Sequence, residues 1–156
     1  MRHELRAGDM GEIIRLHGVV YAREQGYGVS FEAYVARTFG ERAWPLSEGE
    51  RIWILERDGE LVGSMAIVRA SAAQAQLRWL LLRPELRGHG VGRELVARAL
   101  AFCREAGYAS VFLWTEGALT AAASLYRSSG FVRTESTRHV AWGGVRTDER
   151  YELELS

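Results

Sequence analysis

Leu80-Leu81-Leu82-Arg83-Pro84-Glu85-Leu86-Arg87-Gly88-His89-Gly90-Val91-Gly92 is the segment on which the reading of the fold turns. The leucine run reads as the end of a strand buried on both faces, and Pro84 stops it. Arg87 and glycines at 88, 90 and 92 follow. An amphipathic stretch from Gly90 to Gly107 then puts Val91, Leu95, Ala99, Phe102 and Cys103 on one helical face. Strand, glycine-rich turn and helix together make an anion cradle. Glycines let the backbone take positive φ and approach a ligand closely. The first N–H groups of the helix and its dipole then face whatever negative group sits there. A pyrophosphate is the natural guest. The dinucleotide fingerprint needs G-x-G-x-x-G, whereas the spacing here is G-x-G-x-G. A Walker loop needs a lysine, and the chain has none. A glycine-rich turn that merely joins strand to helix is the competing reading, and the added arginine weighs against it.

Outward from this segment, the N-terminal part reads as a short edge strand at His3–Arg6 and a helix from Asp9 to about Glu24. Asp9 is the expected N-cap and Glu12 its capping-box partner. Gln25–Val29 reads as a loop, and Ser30 as the cap of a second helix with Phe31, Tyr34, Val35 and Phe39 on one face. Arg51–Glu56 and Leu61–Val68 flank Asp58-Gly59, a pair suited to the positive φ angles of a tight hairpin. Ala75–Leu82 is the third strand. Beyond the long helix, Ser110–Trp114 reads as a buried strand and Thr120–Ser128 as a short helix. Phe131–Trp142 and Val145–Leu155 close the chain as a hairpin around Gly143-Gly144. The order predicts an α+β layer fold around one mixed sheet, in a single domain spanning 1–156.

Composition narrows the function. Twenty arginines balance twenty acidic residues, for a net charge of zero, and there is neither lysine nor asparagine. Neutrality speaks against a protein that binds nucleic acid by neutralising phosphates. Lysine chemistry, such as a Schiff base or a self-acetylated side chain, is excluded outright. The single cysteine, Cys103, supports neither an internal disulfide nor a cysteine-based zinc site, and no metal is expected. The charged N-terminus lacks a signal-peptide core, and no apolar run approaches the roughly 20 residues of a membrane span. A cytoplasmic protein without membrane partners is the expectation. A homodimer is compatible with the sequence.

Arg87-Gly88-His89-Gly90-Val91-Gly92 resembles the R/Q-x-x-G-x-G/A signature of the GCN5-related N-acetyltransferases, the GNAT superfamily. Leu80 to Gly88 is similar to the lead-in of that signature, and Leu125-Tyr126-Arg127-Ser128-Ser129-Gly130-Phe131 resembles the later LY-x-x-x-GF motif. Stretches such as RLHGVVYARE and LWTEGALTAA also look like GNAT domains fused behind MarR-type regulators, although no such regulator is legible in these residues. The resemblance covers essentially the whole chain. It implies a sheet with helices on both faces and splayed central strands that admit acetyl-CoA. It also implies transfer of an acetyl group from acetyl-CoA to a primary amine of a small molecule, directly within a ternary complex. A non-catalytic acetyl-CoA sensor and a protein or peptide N-terminal acetyltransferase are the alternatives.

By matched position, the resemblance assigns the pyrophosphate to Arg87, Gly88, His89, Gly90, Val91 and Gly92, with Arg93 assisting. Leu80, Leu81 and Leu82 offer their backbone to the pantetheine arm. Tyr126 matches the general acid that protonates the departing thiolate, or else it packs there without giving a proton. Gln76 stands where the family often carries a glutamate base, and glutamine cannot serve. Glu116 is the first substitute, with Glu24, His17 and His139 behind it. Arg78 shares a strand face with Gln76. It suits either a substrate carboxylate or an ion pair with a neighbouring glutamate. Tyr21, Tyr27, Phe31 and Tyr34 either roof the acceptor pocket or simply form the core face of their helices. Cys103 reads as buried core.

Overall fold

The computed structural model describes residues 1–156. Helices α1 (Asp9–Gln25) and α2 (Val29–Gly40) come first, followed by strands β1 (Arg51–Arg57), β2 (Glu60–Arg69) and β3 (Gln74–Leu82). A 3₁₀ turn at Pro84–Leu86 leads into α3 (Val91–Glu105). Strand β4 (Ser110–Glu116), helix α4 (Thr120–Ser128), and strands β5 (Val132–Ala141) and β6 (Gly144–Glu154) complete the chain. The six strands form one sheet in the order β1-β2-β3-β4-β6-β5, antiparallel except where β3 meets β4. No helix is long and apolar enough to cross a membrane.

Alternation along the strands divides the interior in two. On one face, Trp53, Met65, Ile67 and Leu77 pack against Leu95, Val96 and Ala99 of α3 and Ala123 and Tyr126 of α4. On the other, Ile52, Ile54, Ala66 and Val68 pack against Ile13, Leu16 and Val20 of α1 and Phe31, Val35 and Phe39 of α2. With helices on both faces, β2 is buried at every position from Leu61 to Val68. Cys103 is fully buried among the α3 residues, and burial pushes its thiol up to about 12.

Two features of β3 create a cleft. It pairs with β4 only through Gln74–Gln76 and Ser110–Phe112, so the two strands diverge beyond that point. Against β2, Ser64 faces Leu81 and Ala66 faces Arg78, leaving Met65 opposite both Trp79 and Leu80. That is a β-bulge, with Trp79 at φ 50°. It breaks the alternation, because Leu77 and Leu80 both face α3 while Trp79 and Leu81 face α2.

The N-terminal expectations need correction. His3–Arg6 is not a strand, and only Arg2 bridges to Ile54. Asp9 does not cap α1. Gly8 does, in the left-handed region and without a side-chain bond. The Asp9 carboxylate instead accepts hydrogen bonds from the Arg2 guanidinium and the Arg6 N–H, which hold it below its ordinary pKa. Ser30 is also no cap, since α2 begins one residue earlier behind Gly28. The last hairpin turns on Trp142-Gly143, with Ala141 opposite Gly144, one residue before the expected pair.

Candidate active site

The diverging strands open into a cleft of about 1240 Å³. Small-molecule pockets usually measure about 300–1,000 Å³, so this space holds two substrates more naturally than one. Of the residues singled out from sequence, Gln76, Arg78, Leu80, Leu81, Leu82, Arg87, Gly88, Gly90, Val91, Gly92, Arg93, Glu116, Tyr126, Glu24, His17 and His139 all line it. Among the candidate site residues, His89 does not; its side chain is exposed.

One half of the cleft is built from backbone. Leu81 is buried beneath α1 and α2, while Leu80 and Leu82 pack against α3, so these side chains belong to the core. On the side away from β2, the backbone of Leu77–Leu82 has no strand partner. Beyond the 3₁₀ turn, Gly88 and Gly90 sit at φ 80° and 77°, and a Cβ at either would meet nothing within 4 Å. Conformation, not crowding, is what requires glycine there. The first intrahelical bond of α3 runs from the Glu94 N–H to the Gly90 carbonyl. The amides of Gly88 through Arg93 therefore donate to no acceptor in the protein. These six N–H groups, with Arg87 and Arg93 beside them, fit a pyrophosphate. Arg87 is held by Glu24 of α1, its Nη1 donating to Oε1 at 2.7 Å. Gly92 lets α4 approach, since a Cβ there would lie 3.2 Å from Leu125. That contact seats the Leu125-Tyr126 pair at the cleft.

Tyr126 is buried, its hydroxyl makes no hydrogen bond within the protein, and it lines the cleft. Burial, with Tyr21 nearby, raises its pKa above the ordinary phenol value. Glu116 is also buried. Its Oε2 accepts from the Ala118 N–H at 2.6 Å and its Oε1 from the Thr147 N–H at 3.0 Å. The carboxylate thus ties the end of β4 to β6.

The other half is built from side chains. Tyr21, Tyr27 and Phe31 pack against one another, and Trp142 from the β5–β6 turn comes within 4.9–5.5 Å, centroid to centroid, of Phe31, Tyr27 and Tyr34. The four early aromatics are thus both helix core and cleft wall. Trp142 has φ 52°, so the two tryptophans with positive φ both line the cleft. Bulky residues rarely adopt that conformation, and the surroundings must enforce it. At Trp79 they do so visibly. The buried Ser64 hydroxyl donates to the Trp79 carbonyl at 2.7 Å, the Trp79 indole donates to Thr38 Oγ1 at 2.9 Å, and Phe39 stacks on the ring at 4.0 Å. The sequence reading missed both Trp79 and Trp142, because neither a bulge nor a shifted turn has a local signature in tryptophan.

Titratable groups complete this half. His17 is buried and donates through Nδ1 to the Ile13 carbonyl at 2.8 Å, and burial lowers its pKa to about 4. It is neutral at physiological pH. The buried Tyr27 hydroxyl and His139 Nε2 have no hydrogen-bond partner. His139 Nε2 comes within 2.8 Å of Asp148 Oδ1, but not along a hydrogen-bonding direction. Arg78 has no carboxylate within 4.0 Å, so the ion pair considered from sequence is not formed.

The profile of the acetyltransferase (GNAT) family matches residues 17–131. N-acetyltransferase family 8 member 3 of Rattus norvegicus is 37% identical over 87 residues, covering 53% of this chain and 38% of the relative. The chain therefore spans well under half of that relative's length. An acetyltransferase from Streptococcus agalactiae superposes with a TM-score of 0.76 at 18% identity, covering 99% of this chain and 96% of the other. Spermidine N-acetyltransferase of Vibrio cholerae, solved with CoA and spermine, superposes with a TM-score of 0.70 at 19% identity, covering 98% and 93%. At such identities the superpositions speak to the fold. The family match covers most of the chain, including the glycine loop, the cleft strands and the Leu125-Tyr126 pair, and on that ground this protein belongs to the acetyltransferase (GNAT) family.

Proposed function

We propose that the protein is an acetyl-CoA-dependent N-acetyltransferase acting on a primary amine of a small molecule. The carrying observation is the row of six unpartnered amides at the end of a strand whose free edge faces the cleft. Bound there, acetyl-CoA supplies an acyl group activated as a thioester. The amides of Gly88–Arg93 hold its pyrophosphate, with Arg87 and Arg93 adding charge. The open edge of Leu80–Leu82 pairs with the pantetheine amides, and a backbone N–H of β3 at the bulge polarises the thioester carbonyl. Tyr126 serves as general acid. Burial keeps its phenol protonated, and it donates to a departing thiolate that shares the same dry environment.

Transfer is direct. No lysine exists to carry an acyl group, and Cys103 is buried in the α3 core with its thiol pushed up to about 12. Glu116 spends both oxygens on backbone N–H groups, so we assign it to securing the rim and let the amine's proton leave through water in the open cleft. Trp142 closes the acceptor half against α2 and the segment between α1 and α2, which favours a small acceptor over the open groove that a protein N-terminus would need.

The test is release of free CoA thiol from acetyl-CoA across a panel of small primary amines and one N-terminal peptide, beside a calorimetric titration with CoA. CoA binding and turnover of small amines are expected. Absence of CoA binding would remove the reading, and turnover of the peptide alone would transfer it to the peptide class.

A further inference from the structure

We infer that Arg78 is the acceptor-side anchor for a carboxylate, so that the cleft selects small amines carrying a carboxylate on the same molecule. This rests on the acetyltransferase reading and names its substrate class. Arg78 lines the cleft half-buried, with its guanidinium 5.3 Å from the centroid of the Trp79 ring. The bulge brings this about by turning residues 78 and 79 to the same face, so the cation lies on an indole beneath α2.

Of the other two arginines that line the cleft, Arg87 is bonded to Glu24 and Arg93 stands at the amide cradle. Arg146, outside the lining, donates to the Ala141 and Trp142 carbonyls. Arg78 has no carboxylate within ion-pair distance, and its charged neighbours are Arg42, which repels it, and Glu41, which attracts it from beyond 4.0 Å. Tyr34 is the polar side chain beside it. Burial lowers its pKa from the ordinary value, and Tyr34 and Glu41 offset that loss of hydration only in part. Partly buried charges are normally paired, and the planar fork of a guanidinium matches a carboxylate.

The opposite charge in this half comes from Asp148 and Glu116 across the same cleft. One cation and two anions around an aromatic wall complement a small zwitterion better than a plain amine or a phosphate ester. The apolar remainder of such an acceptor lies on Phe31, Tyr34 and Trp142.

The experiment measures kcat and KM for matched pairs that differ only in the carboxylate: phenylalanine against phenethylamine, leucine against 3-methylbutylamine, and 4-aminobutyrate against propylamine. Wild-type protein and the Arg78→Met and Arg78→Lys variants are compared, with CoA affinity as the check on folding. At least one carboxylate-bearing member should exceed its partner about tenfold to a hundredfold in kcat/KM, the range of a hydrogen bond to a charged group. Arg78→Met should bring that ratio close to one by raising KM, and Arg78→Lys should keep part of it. Equal use of every pair by the wild type overturns the proposal, as does an equal loss on both members of a pair. If a variant does not fold, the wild-type ratios decide. If CoA binds but no amine releases thiol, the transferase reading fails on its own. Arg78 is then judged by 3-phenylpropanoate: a Tm rise for wild type but not for Arg78→Met supports the anchor, and equal shifts overturn it.

Discussion

The two halves of the cleft are made of different material. Around β3 and the start of α3, the lining is backbone: an unpaired strand edge and the amides of Gly88–Arg93, with side chains turned into the core. Under α1, α2 and the β5–β6 turn, the lining is side chain: Tyr21, Tyr27, Phe31, Tyr34, Trp142, Arg78 and His139. A ligand held through backbone depends on conformation and tolerates many side chains. A ligand held through side chains depends on their identity. The first arrangement suits a cosubstrate that is always the same, and the second suits an acceptor that sets specificity.

The cleft tyrosine should matter most. Tyr126→Phe removes the proposed proton donor and leaves the wall in place, so kcat should fall about 10²–10⁴-fold with little change in acetyl-CoA affinity. An unchanged kcat in steady-state assays would take the acid role from Tyr126. Next is the backbone half. Gly90→Val puts a β-branched residue at φ 77°, at a cost of about 1–3 kcal/mol. Calorimetry should show CoA binding weakened by roughly tenfold or more, with acceptor KM little affected.

Acid should loosen the other half. His17 has its folded-state pKa lowered to about 4, against an unfolded value near 6.5. Between those values the unfolded chain binds more protons, so stability falls as pH drops, by up to about 1.4 kcal/mol per pH unit. The loss begins below about pH 6.5 and levels off near pH 4. Urea unfolding of the His17→Leu variant should show this part of the slope removed. The smallest effect is expected at Trp142→Ala, where lost aromatic contacts are worth about 0.5–1.5 kcal/mol each. Acceptor KM should rise several-fold while acetyl-CoA KM stays put. If both rose together, the division between halves would not hold.

The division also explains what could be read in advance. Gly88, Gly90 and Gly92 before an amphipathic helix announce their geometry within a few residues, because φ preference and helix termini are local. The strands followed from alternation and from Asp58-Gly59. The helix caps did not, since Asp9 was claimed by Arg2, 7 residues away in sequence, and the helices start on glycines instead. Arg78 was visible as a charge on a cleft-facing strand, but its lack of a carboxylate partner required knowing what α2 brings near it.

By itself the sequence determined the two-faced sheet, the glycine-rich turn before α3 and the place of Tyr126. Each of these rests on hydrophobic period or backbone preference over a short span. Tertiary structure alone decided the acceptor half. Trp79 enters it through a bulge set by pairing with β2 and held by Ser64 and Thr38, and Trp142 through a turn shifted by one residue. Glu116 was drawn to the amides of Ala118 and Thr147. These outcomes depend on which distant groups compete for each hydrogen bond and each packing site, and that competition is settled only when the chain has closed on itself.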